Sequence, residues 1–155
     1  MSKHMSQEAF KSLLAKAMSA VERVTSFPEA NDDEHICATE NAYITLGHLA
    51  VYQTQDPAHL SKFLALLPLS GEEESQEANL FLLNQLLEKN AVFNNVQEDV
   101  KEALKRIQAK SQEDDSILTE EAKEKLQQVM SMMWINRISL RNVYDFRING
   151  VLGFW

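Results

Sequence analysis

Apolar residues recur along most of this chain at α-helical spacing, and the places where the rhythm breaks divide it into six segments. From Ser6, the positions Phe10, Leu13, Leu14, Ala17, Met18, Val21 and Val24 follow the i, i+3, i+4, i+7 pattern and predict an amphipathic helix ending near Ser26, before Phe27-Pro28. The second segment, Glu34 to Tyr52, has apolar residues on most of its circumference: Ile36, Cys37, Ala38, Ala42, Tyr43, Ile44, Leu46, Leu49, Ala50 and Val51. That distribution predicts an interior helix around which the chain is built. Gly47 in its middle costs roughly 1 kcal/mol relative to Ala, which is tolerable where a neighbouring helix approaches the backbone closely.

The third segment opens with Asp56 as a cap and Pro57 at the first helical position, and Pro68 stops it after Leu67. After Ser70-Gly71 a fourth helix presents Ala78, Phe81, Leu82 and Leu86, flanked by Leu83 and Leu87, with Asn90 as its expected C-cap. A fifth is expected from about Ala91 to Lys110, with Val92, Phe93, Val96, Val100, Ala103, Leu104 and Ile107 on one face, followed by a turn over Ser111 to Ser116. Thr119 then suits an N-cap, and Ala122, Leu126, Val129, Met130 and Met133 form the apolar face of the sixth.

Three acidic triplets punctuate this plan: Asp32-Asp33-Glu34, Glu72-Glu73-Glu74 and Glu113-Asp114-Asp115. They begin at 32, 72 and 113, each between the first and second helix of a pair. Two helices repeating about every 40 residues predict an all-α solenoid of about three HEAT-type pairs, with approximate repeats 6–53, 56–90 and 91–133. An ordinary six-helix bundle is the competing arrangement. Acids at helix starts complement the macrodipole without any partner; stacked in register, the same nine carboxylates form a ladder along one edge that attracts Lys/Arg-rich segments.

Composition narrows the function classes. The chain of 155 residues, 45% hydrophobic and 25% charged, suffices for one domain with a real core. No uninterrupted apolar run reaches membrane-spanning length, and the N-terminus shows no secretory h-region. A single cysteine, Cys37, excludes an internal disulfide framework, predicts a small core residue, and points to a reducing compartment, cytoplasm or nucleus. The net charge is -8; residues 134–155 hold three arginines against one aspartate, a net of +2, which leaves -10 for residues 1–133. Such an acidic body repels nucleic acid and favours basic partners.

Catalytic chemistry finds no foothold. His4, His35, His48 and His59 form no HExxH or ExxH pair and have no cysteine at metal-ligand spacing, and the four glycines make no phosphate loop. No enzyme activity, metal or cofactor is expected. His48 reads as a polar, hydrogen-bonded position on the second helix, and Met130, Met132 and Met133 as core filling.

Glu40-Asn41-Ala42, Leu46-Gly47 and Leu49, then Leu66-Leu67-Pro68-Leu69, an acidic run, Leu83, Leu86-Leu87, Glu88 and Asn90 form an ordered set. This set resembles the carboxy-terminal HEAT repeats of importin-β (karyopherin-β) nuclear transport receptors, most of all those that import ribosomal proteins and histones. The resemblance covers residues 34–91 well and 6–33 and 92–133 more loosely. It implies a cargo-side fragment of a longer receptor, binding basic cargo proteins of the ribosomal-protein or histone kind, with nucleoporins among the family's other contacts. The repeats that grip Ran-GTP in that family lie upstream, so Ran-GTP is expected of a full-length receptor and not of this chain; nucleic acid and membrane are not expected partners.

Two ends stand apart. Met1 to Met5 reads as a frayed end or cloning remnant. Residues 134–155, basic and crowded with Trp134, Tyr144, Phe146, Phe154 and Trp155, read either as a non-native tail or as an extension that caps the last repeat.

Overall fold

The structure, a computed structural model, describes residues 7–133, and within them every regular element is helical. Helix α1 spans Gln7–Thr25; α2 spans Ile36–Leu49 and continues through a π-helical turn, Ala50–Thr54; α3 is Pro57–Leu66; α4 is Glu72–Leu87; and α5 is Gln97–Glu113. Helix α6 covers residues 120–133, and short 3₁₀ turns at Ala91–Asn95 and Asp115–Ile117 precede α5 and α6. The expectations for Met1 to Ser6 and for the tail 134–155 lie outside the described residues.

The start and stop signals act where the local chemistry places them. Asp56 accepts the backbone N–H of Ala58 at 2.9 Å with Pro57 at the first helical position, so α3 begins there. It ends at Leu66 because Leu67, preceding Pro68, is driven to an extended conformation (φ -73°, ψ 143°). Thr119 caps α6 through the N–H of Ala122 at 3.2 Å.

Three boundaries differ from the sequence expectation. The fifth helix does not start at Ala91: Asn90 accepts the N–H of Val92 at 3.2 Å, Ala91–Asn95 winds as a 3₁₀ turn, and Val96 leaves the helical region before α5 begins. Asn90 is therefore an N-cap rather than the C-cap of α4, and Lys89 takes the left-handed conformation at φ 55°. The expected turn over Ser111 to Ser116 starts only after Glu113, where α5 ends.

Helix α1 packs on α2, α2 packs on both α3 and α4, and α3 packs on α5. Gly47 is buried, and a Cβ built there would lie 3.0 Å from the Phe63 ring, so the close approach expected at this glycine is made by α3. The most enclosed element, however, is α4, not α2. Ser75, Ala78, Asn79, Phe81, Leu82, Leu83 and Gln85 are all buried, whereas α2 leaves Cys37, Ala38, Asn41 and Thr45 exposed. The polar positions of α4 disguise its burial: Asn79 donates to the Ile117 carbonyl at 3.2 Å, and Gln85 donates to the Tyr52 hydroxyl at 3.0 Å, so both amide nitrogens enter the interior with partners, although Asn79 Oδ1 has none. Cys37 is no core residue because it sits at the second position of α2, before the helix enters the stack. Met130, Met132 and Met133 pack against the core as expected.

Candidate functional site

The three acidic triplets adopt three different local structures. Asp32, Asp33 and Glu34 lie in the turn between α1 and α2; Glu72, Glu73 and Glu74 form the first turn of α4; Glu113 is the last residue of α5, Asp114 caps the following 3₁₀ turn, and Asp115 belongs to that turn. The expectation of three equivalent acidic turns is corrected on this point, for a physical reason. Glutamates favour the positive end of a helix dipole, while an aspartate side chain reaches its own backbone two residues on.

Hydrogen bonds bring the segments that carry the triplets together. Glu74 of α4 accepts from the Cys37 thiol at 2.9 Å and from Asn41 Nδ2 at 3.1 Å, which joins the start of α4 to the start of α2. Gln76 Nε2 donates to the Ser116 carbonyl at 2.6 Å, joining α4 to the loop before α6. Beneath the first junction Glu40, only 3% exposed, accepts the backbone N–H groups of Ser70 and Gly71 at 2.5 and 2.9 Å. A buried carboxylate is thereby compensated by two donors with no cation involved. The signal for Glu40 was visible in the sequence as a lone acid inside an apolar helix; its role was not, because its donors lie 30 and 31 residues away.

The carboxylates are engaged to different degrees. The Cys37 thiol holds Glu74 below the usual carboxylate range, and in return Glu74, as hydrogen-bond acceptor and as a nearby negative charge, pushes the thiol up. Hydrogen bonds from Ser116, side chain first and then backbone, hold Asp114 low. Asp115 pairs with Lys123 at 2.7 Å and Glu113 with Lys110 at 3.8 Å, so the third triplet is largely answered by local cations and donors. Among the described residues, the side chains of Asp32, Asp33, Glu34 and Glu73 make neither an ion pair nor a hydrogen bond, and all four are exposed.

Beside the first triplet, a shallow groove of about 370 Å³ opens between the end of α1 and the start of α2, with Val24, Phe27, His35 and Ala38 in its lining. The Phe27 ring is 46% exposed and meets the His35 ring edge-on at 5.4 Å. A larger depression of about 780 Å³ runs between the end of α5 and α6, past Gln108, Leu118, Leu126 and Met130.

The remaining sequence candidates resolve as packing. His48 was expected to be a hydrogen-bonded polar position; instead its ring stacks on Phe81 at 4.1 Å and 14°, and Nε2 is buried without a hydrogen-bond partner. His59 Nδ1 lies 3.2 Å from Asp56 Oδ2, inside the α3 cap. Arg106, given no role by the pattern, donates through Nε to the Leu67 carbonyl at 2.9 Å and through a terminal nitrogen to the Leu64 carbonyl at 2.7 Å, closing the C-terminal end of α3 from α5. Among the described residues no group of His, Cys, Asp and Glu could hold a metal ion, and no helix is long and apolar enough to cross a membrane. What the edge offers chemically is charge and shape: exposed carboxylates, helix starts and an apolar groove.

No protein-family model, no curated protein and no solved structure matches the chain.

Proposed function

We propose that this chain is a protein-binding module of three stacked HEAT-type helix pairs, α1/α2, α3/α4 and α5/α6, that takes basic protein segments on its acidic edge. The observation that carries this reading is the interval of the hydrogen bonds between pairs. Six of these bonds, Cys37 to Glu74, Ser61 to Asp99, Gln76 to Ser116, Asn79 to Ile117, Arg106 to Leu67 and Lys125 to Asn84, span 37 to 41 residues, and the others, Glu40 to Ser70 and Gly71, Asn41 to Glu74, Gln85 to Tyr52 and Arg106 to Leu64, span 30 to 42. Of the six, the bonds of Cys37, Ser61, Arg106 and Lys125 join an element to its counterpart one repeat away, as the packing of α2 on α4 and of α3 on α5 also does, while Gln76 and Asn79 reach the 3₁₀ turn that precedes α6. Among the described residues all of these bonds join neighbouring pairs and none joins the first pair to the third, as expected of stacked repeats, which contact only their neighbours, rather than of a bundle closed around one centre.

Basic partners are supported by the charge of -10 on residues 1–133 and by exposed carboxylates on segments that hydrogen bonds join to one another. The importin-β resemblance adds the biological setting: cargo-side recognition of ribosomal-protein-like or histone-like segments in nucleocytoplasmic transport. The test is fluorescence anisotropy with a Lys/Arg-rich peptide at low and physiological salt. Weak binding that strengthens several-fold at low salt supports the reading, and absence of salt-dependent binding overturns it. A second reading, a helical adaptor that joins proteins through apolar surfaces, is favoured by one observation: Phe10 and Leu13 of α1 are 39% and 56% exposed.

A further inference from the structure

We infer that the groove between α1 and α2 is the point at which a Lys/Arg-rich segment seats an aliphatic side chain, with Asp32, Asp33 and Glu34 holding the flanking cations. This rests on the protein-binding reading above and sharpens it, because the sequence treats the three triplets alike and the structure does not. The third triplet is occupied by Lys110, Lys123 and Ser116, and in the second Glu74 is held by Cys37 and Asn41. Only the first keeps all its carboxylates exposed and without a side-chain partner among the described residues.

The first triplet is also the one next to a largely apolar groove: His35, which follows Glu34, lines it together with Ala20, Val24, Phe27 and Ala38, and Arg23 is the one charged residue in that lining. Val24 and Phe27, 39% and 46% exposed, stand there beside Ala38, on the same stretch of chain that carries the acids. Over residues 22–35 the exposed charges are Glu22, Glu29, Asp32, Asp33 and Glu34 against Arg23. This balance selects the occupant. A second copy of the same chain would bring like charge to like charge, at a net of -8 per molecule, whereas a segment with Lys or Arg on either side of one aliphatic residue satisfies both the groove and its rim. Surface charges act over about 8 Å at physiological salt, so cations adjacent to the anchoring residue feel the triplet and distant ones do not.

Two fluorescein-labelled peptides test this: a short Lys/Arg-rich peptide with one central leucine, and the same peptide with glycine in its place. Binding is measured by anisotropy to the wild-type chain, to Ala38→Trp, to the combined Asp32→Asn, Asp33→Asn, Glu34→Gln variant, and to Glu73→Gln. Ala38 and the acids are exposed, and matched circular-dichroism melts verify that each variant is folded. The leucine peptide is expected to bind about tenfold more tightly than the glycine peptide, the scale of partial burial of one leucine side chain. Ala38→Trp should abolish that preference, and the triple variant should weaken both peptides several-fold and flatten the salt dependence, while Glu73→Gln changes little. Equal binding of the two peptides, or loss with Glu73→Gln instead of the triple variant, overturns the assignment to this groove while leaving the protein-binding reading intact. Failure of both peptides to bind the wild-type chain overturns the two together.

Discussion

Gly47 of α2 lies against the face of Phe63 of α3, so closely that a Cβ on residue 47 would stand 3.0 Å from the ring. Phe63 is fully buried and has Phe81 behind it at 6.0 Å, so the ring has little room to retreat. Gly47→Ala gains roughly 1 kcal/mol of helix propensity, but the tight contact is expected to outweigh it and leave the protein about 0.5–1 kcal/mol less stable. Gly47→Leu should cost about 3 kcal/mol, because overpacking forces helix displacement. Urea unfolding measures both, and stabilisation by both substitutions would refute the close contact.

Glu40 ties the end of the α3–α4 loop, just before α4, to α2 through two backbone N–H groups. Truncation by Glu40→Ala removes both acceptors, but Ser70 is exposed and water can reach the freed donors, so the expected loss is about 1–2 kcal/mol rather than the full cost of two buried orphans. Glu40→Gln retains one acceptor and should lose about half as much. Hydrogen exchange of the Ser70 and Gly71 amides, accelerated in Glu40→Ala, separates this mechanism from general destabilisation.

Cys37 is exposed yet expected to react slowly, since the thiolate is the nucleophile and Glu74 pushes the thiol up. At pH 8 its alkylation by iodoacetamide should be slower than that of a free thiol and several-fold faster in Glu74→Gln; as the chain has one cysteine, the signal is unambiguous. The reciprocal effect sets an acid dependence. Glu74 is held low in the folded state, so its contribution is present above the ordinary glutamate value of about 4.3 and is lost as pH falls through the lowered folded value. Cys37→Ala removes the main donor, and the stability difference between pH 7 and pH 3 should shrink. An unchanged difference would show that the pairing does not persist in solution.

Arg106 reaches from α5 to two carbonyls at the end of α3. Because the residue is exposed, water compensates part of its removal, and Arg106→Ala is expected to cost about 1 kcal/mol. Arg106→Lys keeps the charge near the negative end of the helix but not the two-donor geometry, and should recover less than half. Chemical denaturation of the three proteins decides it, with full recovery by lysine counting against the forked contact.

The helices of this protein were legible in the sequence where they depend on nearest neighbours. Period 3.6, the Asp56-Pro57 and Thr119 starts and the Pro28 and Pro68 stops are local chemistry, and the structure places helices accordingly. The close approach at Gly47 was legible for the same reason, since a glycine in mid-helix requires an explanation, although its partner Phe63 was not. Local signals misled where two of them competed. Asn90 suits either helix end, and the Val92-Phe93-Val96 pattern continues the apolar face of α5 while the backbone winds through a 3₁₀ turn.

What tertiary structure alone decided is which polar groups are already spent. Ser75, Asn79 and Gln85 lie outside the apolar pattern of α4 and are buried: Asn79 Nδ2 donates to Ser75 Oγ and to the Ile117 carbonyl, and Gln85 Nε2 to the Tyr52 hydroxyl, while Asn79 Oδ1 is left without a partner. Three triplets identical in character to a reader of the sequence become one occupied by lysines and a serine, one partly held by a thiol and an amide, and one left open beside an apolar groove. Hydrophobic periodicity is a property of residues a few positions apart, and so it survives in one dimension. The satisfaction of a charge or an amide depends on partners some 30 to 40 residues away, as Glu40 with Ser70 and Gln76 with Ser116 illustrate, and these meet only when the helices stack.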